Sequence, residues 1–96
     1  MKDCMRPIHP GEILREDVLV PMKLTAAAFA RVLHVPTNRV TTILAGKRDI
    51  TADTAVRIAR ALGSAPEFWL GLQQAYDLRV AEKSGAARQV RPLAVA

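Results

Sequence analysis

Residues 26–45, AAAFARVLHVPTNRVTTILA, decide the fold. In the first half of this stretch, apolar residues fall on one side of a helix: Phe29, Ala30, Val32 and Leu33. In the second half, the same spacing joins Val40, Ile43 and Leu44. Between the halves, Pro36 lacks an amide donor and drives Val35 out of the helical region. The stretch therefore predicts two short helices joined by a tight turn, the helix-turn-helix arrangement.

The second helix of this pair, predicted over residues 37–45, has a polar flank that suits base edges in the DNA major groove. Its candidate base-reading residues are Thr37, Asn38, Arg39, Thr41 and Thr42. Asparagine can pair with adenine through two hydrogen bonds, arginine can do so with guanine, and a threonine methyl can contact the thymine methyl. No acidic residue occurs between Thr25 and Arg48, so nothing in this stretch repels phosphate. An ordinary solvated surface is the alternative.

Three further residues are predicted to contact DNA phosphates, which position a protein without reading sequence. These are Thr25, Lys47 and Arg48. Thr25 also fits the N-cap of the helix before the turn, and a cap with no DNA contact is an equal alternative. Lys47 and Arg48 belong to a polar loop after Gly46, a residue suited to the left-handed conformation that closes a helix.

Length and composition limit the class of protein. The 96 residues make one domain, and a formal net charge of +5 suits a polyanionic partner. The single cysteine, Cys4, cannot form an intramolecular disulfide and has no zinc-ligand spacing around it, which favours the reducing cytoplasm. No apolar run approaches the roughly 20 residues that span a bilayer, and no signal peptide is evident, so we expect a soluble cytoplasmic protein without a membrane partner.

Helix signals elsewhere predict an all-α domain, a compact bundle of five helices. We expect an extended segment over residues 1–9, the domain over 10–82 and a flexible basic tail over 83–96. Pro10 opens the first helix and Pro21 is expected to end it near residue 20, with Ile13, Leu14 and Val18 buried. The fourth helix, over residues 52–62, is capped by Thr51 and closed by Gly63; its buried stripe is Ala55, Ile58, Ala59 and Leu62.

The fifth helix, predicted from Pro66 to about residue 81, is apolar on two sides. The expected core stripe is Phe68, Trp69, Leu72, Ala75, Tyr76 and Val80. Leu70 and Leu78, with Gln74 between them, project from the opposite side and are our candidate homodimer interface. A loop or the N-terminal segment covering these leucines within one chain is the equal alternative.

No residue pattern indicates catalysis. His9 and His34 stand apart from each other, and neither belongs to a metal-binding spacing or a nucleophile–base pair. The acidic residues of the first helix, Glu12, Glu16 and Asp17, surround Arg15 and are typical of a solvated face. We therefore predict no catalytic residues, no metal and no cofactor.

Two segments resemble the HigA antitoxins, a branch of the xenobiotic-response-element (XRE) regulators. They are HPGEILRED at residues 9–17 and AGKRDITADTAVRIARALGSAPEFWLGLQQAYDL at residues 45–78. The resemblance covers about residues 9–80, and its HPGE and GSAPEFWLGLQ portions are more specific than the helix-turn-helix, which many regulators share.

The resemblance implies a five-helix, lambda-repressor-like domain that forms a homodimer and binds a palindromic operator of double-stranded DNA in its own promoter. It also implies a HigB-like toxin as partner, a ribosome-dependent messenger-RNA endonuclease that the antitoxin holds inactive. Some members are solitary XRE-type regulators without a toxin gene. A third hypothesis is a protein-binding module whose DNA binding is vestigial.

Two positions depart from the pattern of this wider group. Ala26 replaces a glutamine that braces phosphate and the recognition helix, so one polar contact is missing. His34 replaces a glycine whose backbone adopts positive φ, and we expect His34 to be left-handed at some cost in stability.

Overall fold

The computed structural model of the protein describes residues 6–94. The described chain forms five helices and no strand, which confirms the predicted all-α class. They are α1 over residues 10–22, α2 (Ala26–Leu33), α3 (Thr37–Leu44), α4 (Ala52–Leu62) and α5 (Pro66–Ser84). A single 3₁₀ turn, Ala86–Gln89, follows α5. Three residues connect α1 to α2, and three connect α2 to α3. Connections this short bring consecutive helices into direct contact.

Helix α1 does not end at Pro21 as predicted. Its middle, Arg15–Leu19, is π-helical: the Val20 N–H donates to the carbonyl of Arg15, five residues back. This wider turn gives room to the Pro21 ring, which in a plain α-helix would press on the carbonyl four residues earlier. The chain continues through Val20–Met22 and ends at Lys23, which is left-handed at φ 55°. Leu14, which precedes the π-helical segment, and Leu19, its last residue, are both buried.

The core lies where α1, α2, α3 and α4 meet. Its largest fully buried side chains include Leu14, Phe29, Ile43, Ile50 and Ile58. The predicted stripes are confirmed on α3 and α4, where Val40, Ala55 and Ala59 are also buried. The assignment of Val32 to the core of α2 is wrong, since that side chain is 54% exposed. Successive helical residues turn by about 100°, which places Val32 on the far side of Phe29 from Ala30.

The predicted core stripe of α5 is largely wrong. Trp69 is buried, and Leu72 and Tyr76 are half-buried, but Phe68, Ala75 and Val80 are exposed. The exposure of Ala75 and Val80 follows from length: α5 has 19 residues and its neighbour α4 has 11, so the second half of α5 extends past α4. Phe68 lies in the first turn of α5, where its ring meets Trp69 edge to face and stays 52% exposed.

The two ends of the chain are described in part. Arg6 forms a bidentate ion pair with Glu12, at 3.2 Å for each nitrogen–oxygen contact. Helix α5 runs to Ser84, beyond the predicted end near residue 81, and Gly85 closes it at φ 74°. The mobility of residues 83–96 and the division into segments stay predictions. Cys4 lies outside the described residues.

Candidate nucleic-acid interface

The turn before α3 is built as its sequence requires. Pro36 is extended at the N-terminus of α3, and the N–H of Val35 donates to the carbonyl of Ala30 at 3.1 Å, a six-residue closure of the Schellman type. His34 is left-handed, with φ 59° and ψ 48°, which confirms that prediction. Val35 is half-buried against the core. The angle between α2 and α3 is therefore fixed by backbone hydrogen bonds and an apolar side chain.

Helix α3 is anchored on one flank and free on the other. Val40 and Ile43 are 2% and 1% exposed, and Leu44 is half-buried. On the opposite flank, Thr37, Asn38 and Thr41 are exposed, while Arg39 and Thr42 are half-buried at its borders. The predicted base-reading residues therefore do share one surface, and it borders the loop that holds Lys47 and Arg48.

Asn38 is the side chain of this flank that is most free to bind a base. Within residues 6–94 its amide group makes no hydrogen bond, so both its donors and its acceptor are available to an adenine edge. The threonine hydroxyls are already used: Thr41 donates to the carbonyl of Asn38 at 3.3 Å, and Thr42 donates to the same carbonyl at 2.6 Å. Their oxygens can still accept, and their methyl groups remain apolar contacts for thymine.

The two arginines near this flank are held by side chains of the protein. Arg39 Nη1 lies 3.0 Å from Asp53 Oδ2, across the junction of α3 and α4. Arg48 Nε donates to the Thr42 hydroxyl at 2.9 Å. Both guanidinium groups are thus oriented before any ligand arrives, which lowers the entropy that binding would cost.

The predicted phosphate contacts occupy two ends of this surface. The Thr25 hydroxyl accepts from the N–H of Ala28 at 3.0 Å, so the predicted N-cap of α2 is confirmed. Lys47 and Arg48 are exposed in the loop after α3, which Gly46 opens at φ 76°. DNA phosphates can therefore contact the cationic side chains of this loop and the backbone amides at the start of α2.

The HPGE segment supports α3 from behind, a role that the sequence did not predict. The His9 ring accepts from the N–H of Gly11 at 2.9 Å through Nδ1 and caps α1. A Cβ on Gly11 would overlap the backbone carbonyl of Ile43, so α1 meets the end of α3 at a distance only glycine permits. The signal was present as a glycine two residues into a helix, where alanine would ordinarily be the better residue.

His9 is 7% exposed and titrates abnormally. Burial lowers the pKa of its imidazole, while the charge of Asp49 and the carbonyl of Arg48 act in the opposite direction. Its Nε2 has no hydrogen bond of good geometry among the described residues. Because Nδ1 accepts the Gly11 N–H, the neutral ring carries its proton on Nε2.

Gln73 of α5 fixes the loop that follows α3, a second role that the sequence did not predict. Its Oε1 accepts from the N–H of Ile50 at 2.7 Å, and its Nε2 donates to Asp49 at 3.2 Å and to Asp77 at 3.0 Å. A glutamine that bonds three groups in a buried position ties this loop to α5. Nothing local in the sequence distinguishes it from its neighbour Gln74, which is exposed.

The candidate dimer surface is open in this chain. Leu70 is 36% and Leu78 is 55% exposed, and Gln74 lies between them at the rim of a shallow groove. Leu78 is thus more than half exposed, whereas Leu70 is covered in larger part by residues within 6–94.

Residues 6–94 offer neither a membrane-spanning helix nor a cluster of metal ligands. None of the helices there combines the length and the apolar character that crossing a membrane needs. No three histidine, cysteine, aspartate or glutamate side chains in that range lie close enough together to hold a metal ion.

Comparison with known proteins gives consistent matches. The helix-turn-helix family matches residues 14–69. Virulence-associated protein I of Dichelobacter nodosus is 51% identical over 82 residues, covering 85% of this chain and 76% of the relative. A solved addiction-module antidote protein of the HigA family from Coxiella burnetii is 52% identical with a TM-score of 0.84, covering 92% of this chain and 99% of that one.

A second solved structure includes nucleic acid. The Pseudomonas aeruginosa antitoxin HigA with the higBA promoter is 38% identical, with a TM-score of 0.87, and the alignment covers 93% of this chain and 100% of that chain.

Proposed function

Because the chain belongs to the HigA family of helix-turn-helix proteins, we propose that it is a sequence-specific transcriptional repressor and antitoxin. It binds double-stranded operator DNA in its own promoter, represses its operon and neutralises a HigB-like toxin. One observation carries the DNA-binding part: α3 is anchored by Val40 and Ile43 and exposes a polar flank without a carboxylate of its own. The promoter complex of the Pseudomonas aeruginosa relative supports it.

Base reading is assigned to the exposed flank of α3. Asn38 pairs with adenine, Arg39 with guanine, and Thr37, Thr41 and Thr42 supply oxygen acceptors and methyl contacts. Thr25, Lys47 and Arg48 bind phosphates and set the orientation of α3 in the groove. Each good two-bond base contact adds about 1–3 kcal/mol of discrimination.

The protein acts as a homodimer, since one short helix makes too few base contacts for useful specificity. Two copies related by a two-fold axis read half-sites about 34 Å apart. Leu70, Gln74 and Leu78 form the contact between copies, and their exposure in the single chain supports this assignment. We expect the Leu70→Glu, Leu78→Glu variant to sediment as a monomer. A variant that still sediments as a dimer would refute this interface.

The partner of the antitoxin activity is a HigB-like messenger-RNA endonuclease, which the protein holds inactive by direct contact. Support comes from the HigA antidote of Coxiella burnetii, to which this chain is similar over nearly its whole length. The protein works in the cytoplasm by binding alone, without catalysis and without a cofactor. Co-expression with the product of the neighbouring gene tests this part: rescue of a growth arrest supports it, and a solitary regulator gives none.

The DNA-binding part is tested by titrating a fragment of its own promoter and a scrambled fragment of equal length. We expect tighter binding to the promoter, a steep loss of affinity with salt, and loss of the preference on Asn38→Ala plus Arg39→Ala. Equal affinity for both fragments would refute sequence-specific repression and favour a protein-binding module. Val56→Ala, an exposed change on α4, is the matched control and leaves the preference intact.

A further inference from the structure

One carboxylate links α4 to α3 and to the turn between α2 and α3. Asp53 Oδ2 receives Arg39 Nη1 at 3.0 Å and Arg57 Nε at 2.9 Å. Arg57 in turn donates through Nη1 to the carbonyls of Leu33 at 2.8 Å and His34 at 3.3 Å, where α2 ends. Asp53 on α4 is therefore linked directly to α3 and, through Arg57, to the turn.

The location of this carboxylate is unexpected for a DNA-binding surface. The segment from Thr25 to Arg48 carries no acidic residue, yet Asp53 places a negative charge against a side chain of α3. Its side chain is 59% exposed, and exposed ion pairs add little to folding stability. Since the carboxylate also opposes DNA phosphates, its position beside Arg39 bears on binding as well as on folding.

The geometry of Arg39 indicates the effect on binding. Arg39 is only 29% exposed, and Asp53 occupies its Nη1 alone. Within residues 6–94, Nε and Nη2 of Arg39 have no hydrogen-bond partner, so one edge of the guanidinium remains as a two-donor fork. A two-donor fork is the group that recognises O6 and N7 of guanine. At the same time the ion pair reduces the charge that Arg39 offers to any phosphate.

We propose that Asp53 is a positioning residue that raises the specificity of DNA binding: it orients Arg39 for a guanine and withholds its charge from random phosphates. This inference rests on the proposed function. Asp53 lowers the affinity for DNA of any sequence and raises the preference for the operator. The preference rises because the oriented Nε and Nη2 donors of Arg39 form both hydrogen bonds only where the DNA presents a guanine.

The test compares Asp53→Asn with Glu67→Gln, using the promoter fragment and a scrambled fragment over a series of salt concentrations. Glu67 is the second residue of α5, as Asp53 is of α4, and it pairs with no cation among residues 6–94. Both variants remove one negative charge. Asp53→Asn should bind scrambled DNA more tightly, with a salt slope steeper by about one, and should lose about tenfold in the preference for the promoter. Glu67→Gln should change neither quantity.

A second comparison separates positioning from a general change of charge. In an Arg39→Ala background, Asp53→Asn should leave the preference unchanged, because no guanidinium remains to be oriented. An unchanged preference in the wild-type background, or an equal loss in both backgrounds, would overturn the inference. So would a large fall in melting temperature on Asp53→Asn, which would make the residue structural.

The failure of this inference is distinct from that of the proposed function. If the unaltered protein binds both fragments equally, sequence-specific repression and the role of Asp53 fail together. If it prefers the promoter and Asp53→Asn keeps that preference, only the role of Asp53 fails.

Discussion

Helices α3 and α5 differ in how much of their circumference the rest of the chain occupies. The eight residues of α3 are held from behind by α1 and α2, and its aliphatic flank is buried. The 19 residues of α5 bury only Trp69 and Gln73 and leave Phe68, Leu78 and Val80 exposed. A helix held on one flank suits rigid recognition of a groove, whereas a helix with spare apolar surface suits another protein.

Gly11→Ala should have the largest effect, because Gly11 lets α1 approach α3. A methyl group there overlaps the carbonyl of Ile43, and a backbone carbonyl cannot turn aside as a side chain can. We expect the free energy of unfolding to fall by about 3 kcal/mol, the upper end for overpacking, as measured by urea denaturation.

Gly71→Ala on α5 is the control for that change. Nothing lies within 4 Å of a Cβ on Gly71, and alanine favours a helix, so stability should rise by up to about 1 kcal/mol. Equal effects of the two substitutions would show that α3 is not held more tightly than α5.

Substitutions of two adjacent glutamines of α5 should differ in their effect on the free energy of unfolding by nearly as much as the two glycine substitutions do. Gln73→Leu removes the acceptor of the buried Ile50 N–H and should cost about 1–3 kcal/mol of unfolding free energy. Measured in the Leu70→Glu, Leu78→Glu background, where the contact between copies is removed, Gln74→Leu on the exposed side should change it by less than about 0.5 kcal/mol. Thermal or urea denaturation of the two variants measures the difference. A large loss of stability in Gln74→Leu and none in Gln73→Leu would contradict the assignment of Gln73 to the buried side of α5.

Acid should weaken the contact between α1 and α3 through His9. Burial lowers the pKa of His9 below its ordinary 6.5, so the unfolded chain takes up a proton at a pH where the folded chain does not. This contribution to stability is complete above pH 6.5 and is lost as the pH falls through the lower, folded pKa. Denaturation at a series of pH values should show the loss.

His9→Asn provides the control for the acid effect. Asparagine is a good N-cap and does not titrate, so the stability of this variant should be flatter below pH 6.5 than that of the unaltered protein. Identical profiles would place the proton uptake elsewhere.

His34→Gly should have the smallest effect, a gain of a fraction of a kcal/mol to about 1, because glycine adopts φ 59° without strain but gives the unfolded chain more freedom. Lys23→Gly, at φ 55°, should behave alike. Arg31→Gly, inside α2, should instead lose about 1 kcal/mol. A thermal melt in which His34→Gly is clearly destabilising would contradict the account of the turn.

Local signals predicted α3 and its surroundings well. A proline before the helix, Thr25 and Thr51 as caps, and glycines 46 and 63 as left-handed ends are each determined by neighbours in sequence, and all are confirmed. The family resemblance of residues 9–80 is confirmed as well.

The failures come from groups whose partners are distant in sequence. Pro21 is accommodated by a π-helical turn, and the burial of Gln73 and His9 depends on the loop around residues 46–50. The exposed half of α5 depends on where α4 ends. The pairing of Arg39 with Asp53 spans fourteen positions and has no local signal. The roles assigned to the DNA-contacting and dimer residues stay predictions.

The most direct test is a nuclear magnetic resonance titration of the isotope-labelled protein with its own promoter fragment. We expect amide shifts to concentrate on residues 37–42 and on the loop of Lys47 and Arg48, with a smaller change at the start of α2. Shifts confined to the exposed side of α5, with α3 unaffected, would contradict it.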